Sequence, residues 1–498
     1  VRTTIHPART PVAERGPLPE IIQGGMGVAV SHWPLAQEVA RSGGVGVVSG
    51  TAIGVVVARR LQDGDPGGHM RRALEAFPIP GVGERIIDRY FVEGGRPAGK
   101  PYKAVPAWNL TPKRPLVELT VAASFAEVFL AAEGHDGPVG VNLLHKVKLP
   151  NPATLYGAVL AGVDVAVMGA GIPRDIPAML DRLATHDVVE MAVEVAGEKN
   201  PEDGYLRFDP RELWTDPKSG EAHEPIEVGR PNFLAIVSSA TLAAALARDP
   251  VTCPDGFVVE AHVAGGHNAP PRGRLQLDDE GQPVYGAKDE VDFDKVADLG
   301  LPFWLAGGQG HPGAIADARS VGARGIQVGT AFAMCQESGI SEPLRQSLLQ
   351  QALAGEAKVR TDAHASPTGF PFKVAEMEGT MDDAEVYAQR ERICDLGFLT
   401  HTYRREDGKL GQRCPSEPVE DYEKKGGDVA ETEGRKCLCN GLLATAGFAQ
   451  IHKGVTEAPI VTSGDDLVHV ARFVPDGAQD YSARDVLHRL GVEVTQPA

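Results

Sequence analysis

The chain has 498 residues, enough to bury a barrel-sized core with additions. Its 49 Lys and Arg against 67 Asp and Glu give a net charge of -18, with no basic block of five or more residues. That excludes nucleic acid and anionic membranes as expected partners, and no apolar run is long enough to span a bilayer.

In chain order, the first expected strand is Glu20-Ile21-Ile22-Gln23, which runs into Gly24-Gly25-Met26-Gly27. A helix from Pro34 carries Leu35, Ala36, Val39 and Ala40 on one side and closes at Gly43-Gly44. The second strand, 45–49, completes a βαβ unit and implies a parallel sheet. Residues 50–138 form a long insertion, with helices expected at 70–77, 84–91 and 124–133 and an irregular stretch at 92–115. The third strand is 139–143 and the fourth 163–168, followed by a helix over 173–183 with Ile176, Met179, Leu180 and Leu183 at helical spacing. A second insertion, 187–231, contains the turn Asn200-Pro201-Glu202-Asp203-Gly204. The fifth strand is 233–238 and the sixth 257–261. A polar loop covers 268–300. The seventh strand, 302–306, ends in Gly307-Gly308-Gln309-Gly310, and the eighth, 325–328, ends in Gly329-Thr330.

Eight short apolar strands alternating with helices predict an α/β fold, a (β/α)8 TIM barrel with insertions and a C-terminal extension. The barrel is assigned to 1–339. The extension, 340–498, is expected to be mostly helical and irregular. Glycine pairs follow strands one, six and seven at the strand ends that a barrel gathers on one face. Glycine-rich loops after strands seven and eight suit an anion, because their backbone N–H groups are accessible.

Four of the six cysteines, Cys394, Cys414, Cys437 and Cys439, lie in the extension. They suit a structural zinc or an iron–sulfur cluster, although only Cys437-Leu438-Cys439 is tightly spaced; the alternative is four buried small apolar side chains. Cys253 and Cys335 read as core positions. The start, Val1 to His6, lacks the basic-then-apolar layout of a signal peptide, so a cytoplasmic protein is expected.

The motifs Gln23-Gly24-Gly25-Met26-Gly27, Ala264-Gly265-Gly266-His267, Leu305-Ala306-Gly307-Gly308 and Gln327-Val328-Gly329-Thr330-Ala331-Phe332 resemble the signature of the nitronate monooxygenase family, formerly 2-nitropropane dioxygenases. The resemblance covers roughly residues 18–335. It implies FMN bound in the barrel, a small-molecule substrate, and O2 or NAD(P)H as the second substrate, with a homo-oligomer among the possible forms. It implies that Gly25 and Met26 present backbone to the flavin ring and that Asn142 hydrogen-bonds it. By the same resemblance Gly265 and Gly266 flank ring or ribityl, Gly307, Gly308, Gly329 and Thr330 hold phosphate, and His267 is the base. Glu260 stands where family members commonly carry Gln, and a carboxylate there alters the charge beside the flavin.

From the residues alone, Asn142 either meets the ligand or caps the next helix. His262 reads as a structural hydrogen-bond partner. His32 and Trp33 either line the pocket or staple the first helix, and Arg272 either binds an acidic substrate or is solvated. The leading expectation is an FMN-dependent monooxygenase acting on a nitronate-like substrate. The alternatives are an FMN-dependent NAD(P)H enoyl reductase, such as the reductase component of a fatty-acid or polyketide synthase, and a non-enzymatic barrel for a phosphorylated ligand.

Overall fold

Eight parallel strands make the centre of the computed structural model, which describes residues 16–196 and 204–493. The expected turn at Asn200–Asp203 and the Val1 to His6 segment lie outside the described residues. The strands are β1 (Ile21–Gln23), β2 (Gly46–Ser49), β3 (Val139–Leu144), β4 (Val165–Gly169), β5 (Asn232–Val237), β6 (Gly256–Glu260), β7 (Phe303–Ala306) and β8 (Gly325–Val328). Their order is β1-β8-β7-β6-β5-β4-β3-β2, and a parallel bridge between Ile22 and Val45 closes the ring. The (β/α)8 barrel expected from strand count is therefore the fold.

Strand alternation sorts the side chains. Ile22, Val47, Val167, Leu234, Val258 and Trp304 pack inside the barrel. Phe257, Val259, Phe303 and Ile326 belong to the larger cluster between the strands and the surrounding helices. Trp304 is almost fully buried, and its indole N–H donates to Pro19 O at 3.1 Å, which satisfies its polar atom.

Two long helices of the barrel wall were not expected, besides the short Pro210–Leu213 and Phe293–Ala297 in segments read as irregular. Ile53–Gln62 reads Ile-Gly-Val-Val-Val, a β-like run, yet it is helical and buried on nearly all sides. Packing outweighs weak helix propensity there. Asn151–Leu160 fills the β3–β4 connection and packs on Arg114–Ala131, which starts ten residues earlier than the expected 124. The second insertion folds as an antiparallel pair, Val189–Ala192 with Tyr205–Phe208.

The extension begins with the helix Glu342–Ala354. It is less irregular than expected, because its described residues contain three antiparallel pairs, the shortest being Ile451–His452 with Val455–Thr456. Val359–Asp362 pairs with Phe372–Ala375, which also pairs with Gly266–His267. His401–Arg404 pairs with Leu410–Arg413 and, in parallel, with Val195–Ala196 of the second insertion. The last helix, Ala483–Arg489, packs on the first, Trp33–Arg41. Among the described residues no helix is long and apolar enough to cross a membrane.

Candidate functional site

A cavity opens at the C-terminal ends of the barrel strands, where barrels build their sites. Gly25, Met26, Asn142, Glu260, Gly265, Gly266, His267, Gly307, Gly308, Gly329 and Thr330 all line it.

The loop after β1 is held from inside. The Gln23 side chain accepts the Val47 N–H at 2.8 Å and donates to Ser31 Oγ at 2.7 Å. Ser31 Oγ in turn donates to Gly24 O at 2.9 Å and accepts the Met26 N–H at 2.8 Å. Asn142 does not act as a helix cap: its Nδ2 donates to Gly25 O at 3.0 Å across the barrel mouth. A Cβ on Gly25 would stand 2.1 Å from the Asn142 Cβ, so glycine is required for that contact.

Glu260 ends β6. Val258, two residues earlier, packs inside the barrel, so alternation turns the Glu260 side chain toward the barrel axis. It lies level with Ala306 on β7, which is level with Gln327 on β8. Burial pushes its carboxyl up to about 7. The Gln327 Oε1 is buried with no hydrogen-bond partner among the described residues, and Gln327 lines the same cavity.

His267 is tied down by the extension. Its Nε2 shares a hydrogen bond with Ser366 Oγ at 2.7 Å, and Ser366 Oγ lies 2.8 Å from Thr368 Oγ1. Its ring meets Phe372 edge-on at 4.9 Å. Burial, reinforced by nearby Lys146, lowers its pKa to about 3. The Lys146 Nζ is itself buried over the Phe370 ring without a hydrogen-bond partner among the described residues, and burial lowers it to about 6.

A second segment of the extension crosses the mouth. Thr462 Oγ1 accepts the Gly266 N–H at 2.8 Å and donates to Lys373 O at 2.6 Å. Gly464 N donates to Thr330 Oγ1 at 3.0 Å, and Asp465 N donates to Val263 O at 3.0 Å. Asp466 Oδ2 accepts the Gly310 N–H at 3.0 Å, placing a carboxylate on the glycine loop after β7. A Cβ on Gly265 would come within 2.8 Å of Gly464 N, so Gly265 is small to let this segment pass. Gly307 and Gly308 hold φ of 83° and 72°, which favours glycine at both.

Sequence reasoning missed this segment and the apolar wall that the extension adds: Phe372, Phe398, Leu399, Leu438 and Leu442. The one available signal was Thr462-Ser463-Gly464-Asp465-Asp466, a small polar run after Ile460-Val461 with the composition of a barrel loop.

Other expectations are corrected. His262 stacks on Tyr285 at 4.1 Å rather than serving as a hydrogen-bond partner. His32 bonds Glu337 O and Arg60, Trp33 packs near His69, and neither lines the cavity. Arg272 bonds the carbonyls of Lys288 and Ser238, away from it. Cys335 is buried as expected, while Cys253 is only partly so.

The metal reading of Cys394, Cys414, Cys437 and Cys439 finds no support in the geometry. Among the described residues no group of three or more His, Cys, Asp or Glu could hold a metal ion. Asn440 Nδ2 lies 3.7 Å from Cys437 Sγ. Cys437 caps the helix Leu438–Thr445 and Cys439 lies in its first turn. Of the four, Cys439 alone lines the cavity.

Residues 227–365 match the family model described as nitronate monooxygenase. The match spans β5 to β8 and includes Glu260, His267 and the glycines after β7 and β8, but not Gly25, Met26 or Asn142. Over that segment the chain resembles an oxidoreductase family. No curated protein matches the chain. Among solved structures, FabK from Thermotoga maritima is 15% identical, with 95% of this chain and 91% of that chain covered and a TM-score of 0.45. A nitroalkane oxidase from Streptomyces ansochromogenes is 15% identical, covering 95% of each chain with a TM-score of 0.44. The enoyl reductase domain of MlnA from Bacillus amyloliquefaciens is 11% identical, covering 95% and 92%, with a TM-score of 0.46.

Proposed function

We propose, with the match to the nitronate monooxygenase family as premise, that the chain is an FMN-dependent oxidoreductase that oxidises a small nitronate-like substrate with O2. The observation that carries this reading is one cavity built jointly by the barrel and the extension. The barrel supplies glycine backbone and the polar groups Asn142, Glu260 and Gln327, while the extension supplies an apolar wall.

The residues present fit FMN. The unpartnered Gln327 Oε1 leaves a polar atom for a ligand to satisfy. A Cβ on Gly266 would meet nothing within 4 Å, so its backbone borders open space. Gly25, Met26 and Asn142 would hold the flat ring, with Gly265 and Gly266 along its flank. Gly307, Gly308, Gly329 and Thr330 would hold the phosphate through backbone N–H groups, the Thr330 hydroxyl being engaged by Gly464. Bound FMN would supply the electron chemistry, and the protein supplies position, proton transfer and exclusion of water. Two titratable groups of this cavity, Glu260 and His267, are candidates for the proton.

A second reading is favoured by the apolar wall. Phe398, Leu399, Leu438 and Leu442 would suit the chain of an enoyl thioester reduced at the expense of NAD(P)H. An absorbance spectrum followed by anaerobic titration separates the two. Bleaching by a nitronate and not by NADPH is the expected result. Bleaching by NADPH alone would transfer the assignment to the reductase, and a spectrum without flavin bands would overturn both.

A further inference from the structure

We propose that Glu260, not His267, is the base that takes the α-proton from a neutral carbon acid, so that the cavity accepts nitroalkanes as well as nitronates. The proposal rests on the oxidoreductase reading above.

The geometry separates the two candidates. Glu260 ends an inner barrel strand and turns toward the axis, and among the described residues its carboxyl has no hydrogen-bond partner. His267 has its Nε2 engaged by Ser366, its ring against Phe372 and its backbone paired with the same strand. The imidazole would have to break a 2.7 Å hydrogen bond to accept a proton at that nitrogen.

Chemistry points the same way. A base with a conjugate acid near 3 has little driving force to remove a proton at neutral pH, whereas a carboxyl near 7 is matched to it. Burial is the cause of the Glu260 shift. Its neighbours at the same level on β7 and β8, Ala306 and Gln327, carry no charge. Among the described residues the other titratable side chains around the cavity are His267 from the β6 loop, Asp466 from the crossing segment and Cys439 from the helix Leu438–Thr445. His267 is neutral near pH 7, and burial keeps the Cys439 thiol protonated.

In the step itself, the Cα–H bond of the nitroalkane breaks and an O–H bond forms on Glu260. The C–H electron pair moves into a C=N bond and the negative charge comes to rest on the nitro oxygens. Carboxylate and neutral nitroalkane become carboxylic acid and nitronate, so charge and protons balance without an oxidant. A nitronate supplied as such needs no base, which provides an internal control.

The test compares wild type with Glu260→Gln, using nitroethane and preformed ethyl nitronate. One readout is oxidation. The other is exchange of the nitroethane α-protons in D2O, followed anaerobically by NMR, which needs no turnover of the flavin. Glu260→Gln should lower the exchange rate by about 10²–10⁴-fold and lower the ratio of nitroethane to nitronate oxidation by at least 100-fold. In wild type, exchange should rise with pH through about 7, as the carboxylate form accumulates, and the inflection should vanish in the variant. Glu260→Asp, with its shorter reach, should recover part of the exchange, guarding against loss of fold. Exchange unchanged in Glu260→Gln would overturn the assignment of Glu260. A flavin-free wild type inert to both compounds would instead overturn the oxidoreductase reading.

Discussion

At the residue scale, the site depends on atoms that are missing as much as on those present. The absent Cβ of Gly25 lets Asn142 lie against the β1 loop and hold its carbonyl. Gly25→Ala should displace Asn142 at a cost of about 1–3 kcal/mol and lower flavin content sharply. If the effect passes through Asn142, the double variant Gly25→Ala/Asn142→Ala should retain no less flavin than Gly25→Ala alone; additive losses would show independent roles. His32 and His267 set a pH dependence of stability. Burial, with Arg60 beside the first and Lys146 beside the second, lowers both to about 3. An unfolded histidine titrates near about 6.5, so below that pH the unfolded chain binds protons that the folded chain refuses. Stability should therefore fall as pH drops from 6.5 toward 3, and stay flat with respect to these groups above 6.5. In denaturant melts across that range, His267→Asn should lower the slope by about one proton; an unchanged slope would mean that His267 protonates freely in the folded state.

At the element scale, the barrel strands were legible and their surroundings were not. β8 matches its expected bounds, because Gly325 opens it, Gly329 follows it, and the four residues are all buried. Glycine loops after β1, β6, β7 and β8 pointed to the cavity because backbone access and strand-end position are both written locally. The helix Ile53–Gln62 was hidden by its β-branched run, whose conformation is set by burial on every side. The crossing segment at Thr462–Asp466 was hidden for another reason. Its partners, Gly266, Thr330 and Gly310, are more than 130 residues away in sequence, and no local pattern encodes such pairing. That segment bears on cofactor binding, since Asp466 places a carboxylate on the loop proposed to hold phosphate. Asp466→Asn keeps an acceptor for the Gly310 N–H and removes the charge. It should tighten FMN binding by about three- to tenfold at low salt, with a smaller gain as salt screens the repulsion. Identical dissociation constants for the two proteins by fluorescence titration would place the phosphate elsewhere.

At the scale of the whole molecule, barrel and extension share one cavity, and they contribute different chemistry to it. The barrel supplies the glycines and the polar groups Asn142, Glu260 and Gln327 beside apolar Met26, Ile236 and Val263; the extension adds an apolar face of Phe372, Phe398, Leu399, Leu438 and Leu442 beside the polar Thr462, Ser463 and Asp466. The cluster behind that face, including Val147, Phe372, Leu399 and Leu438, is buried and anchored by strands and a helix, so the wall is a fixed surface and not a loose loop. A substrate whose reactive carbon reaches Glu260 must therefore direct its remaining chain along the wall. Each added methylene removed from water contributes about 0.8 kcal/mol, or roughly fourfold, until the wall ends. In a series of primary nitroalkanes of increasing length, kcat/KM should rise by up to that factor per carbon and then level off. Leu442→Asp should flatten the rise, because a carboxylate on the wall resists desolvation, and its effect should be smallest for nitroethane. A series with no dependence on length would mean that the chain points away from the extension, toward solvent.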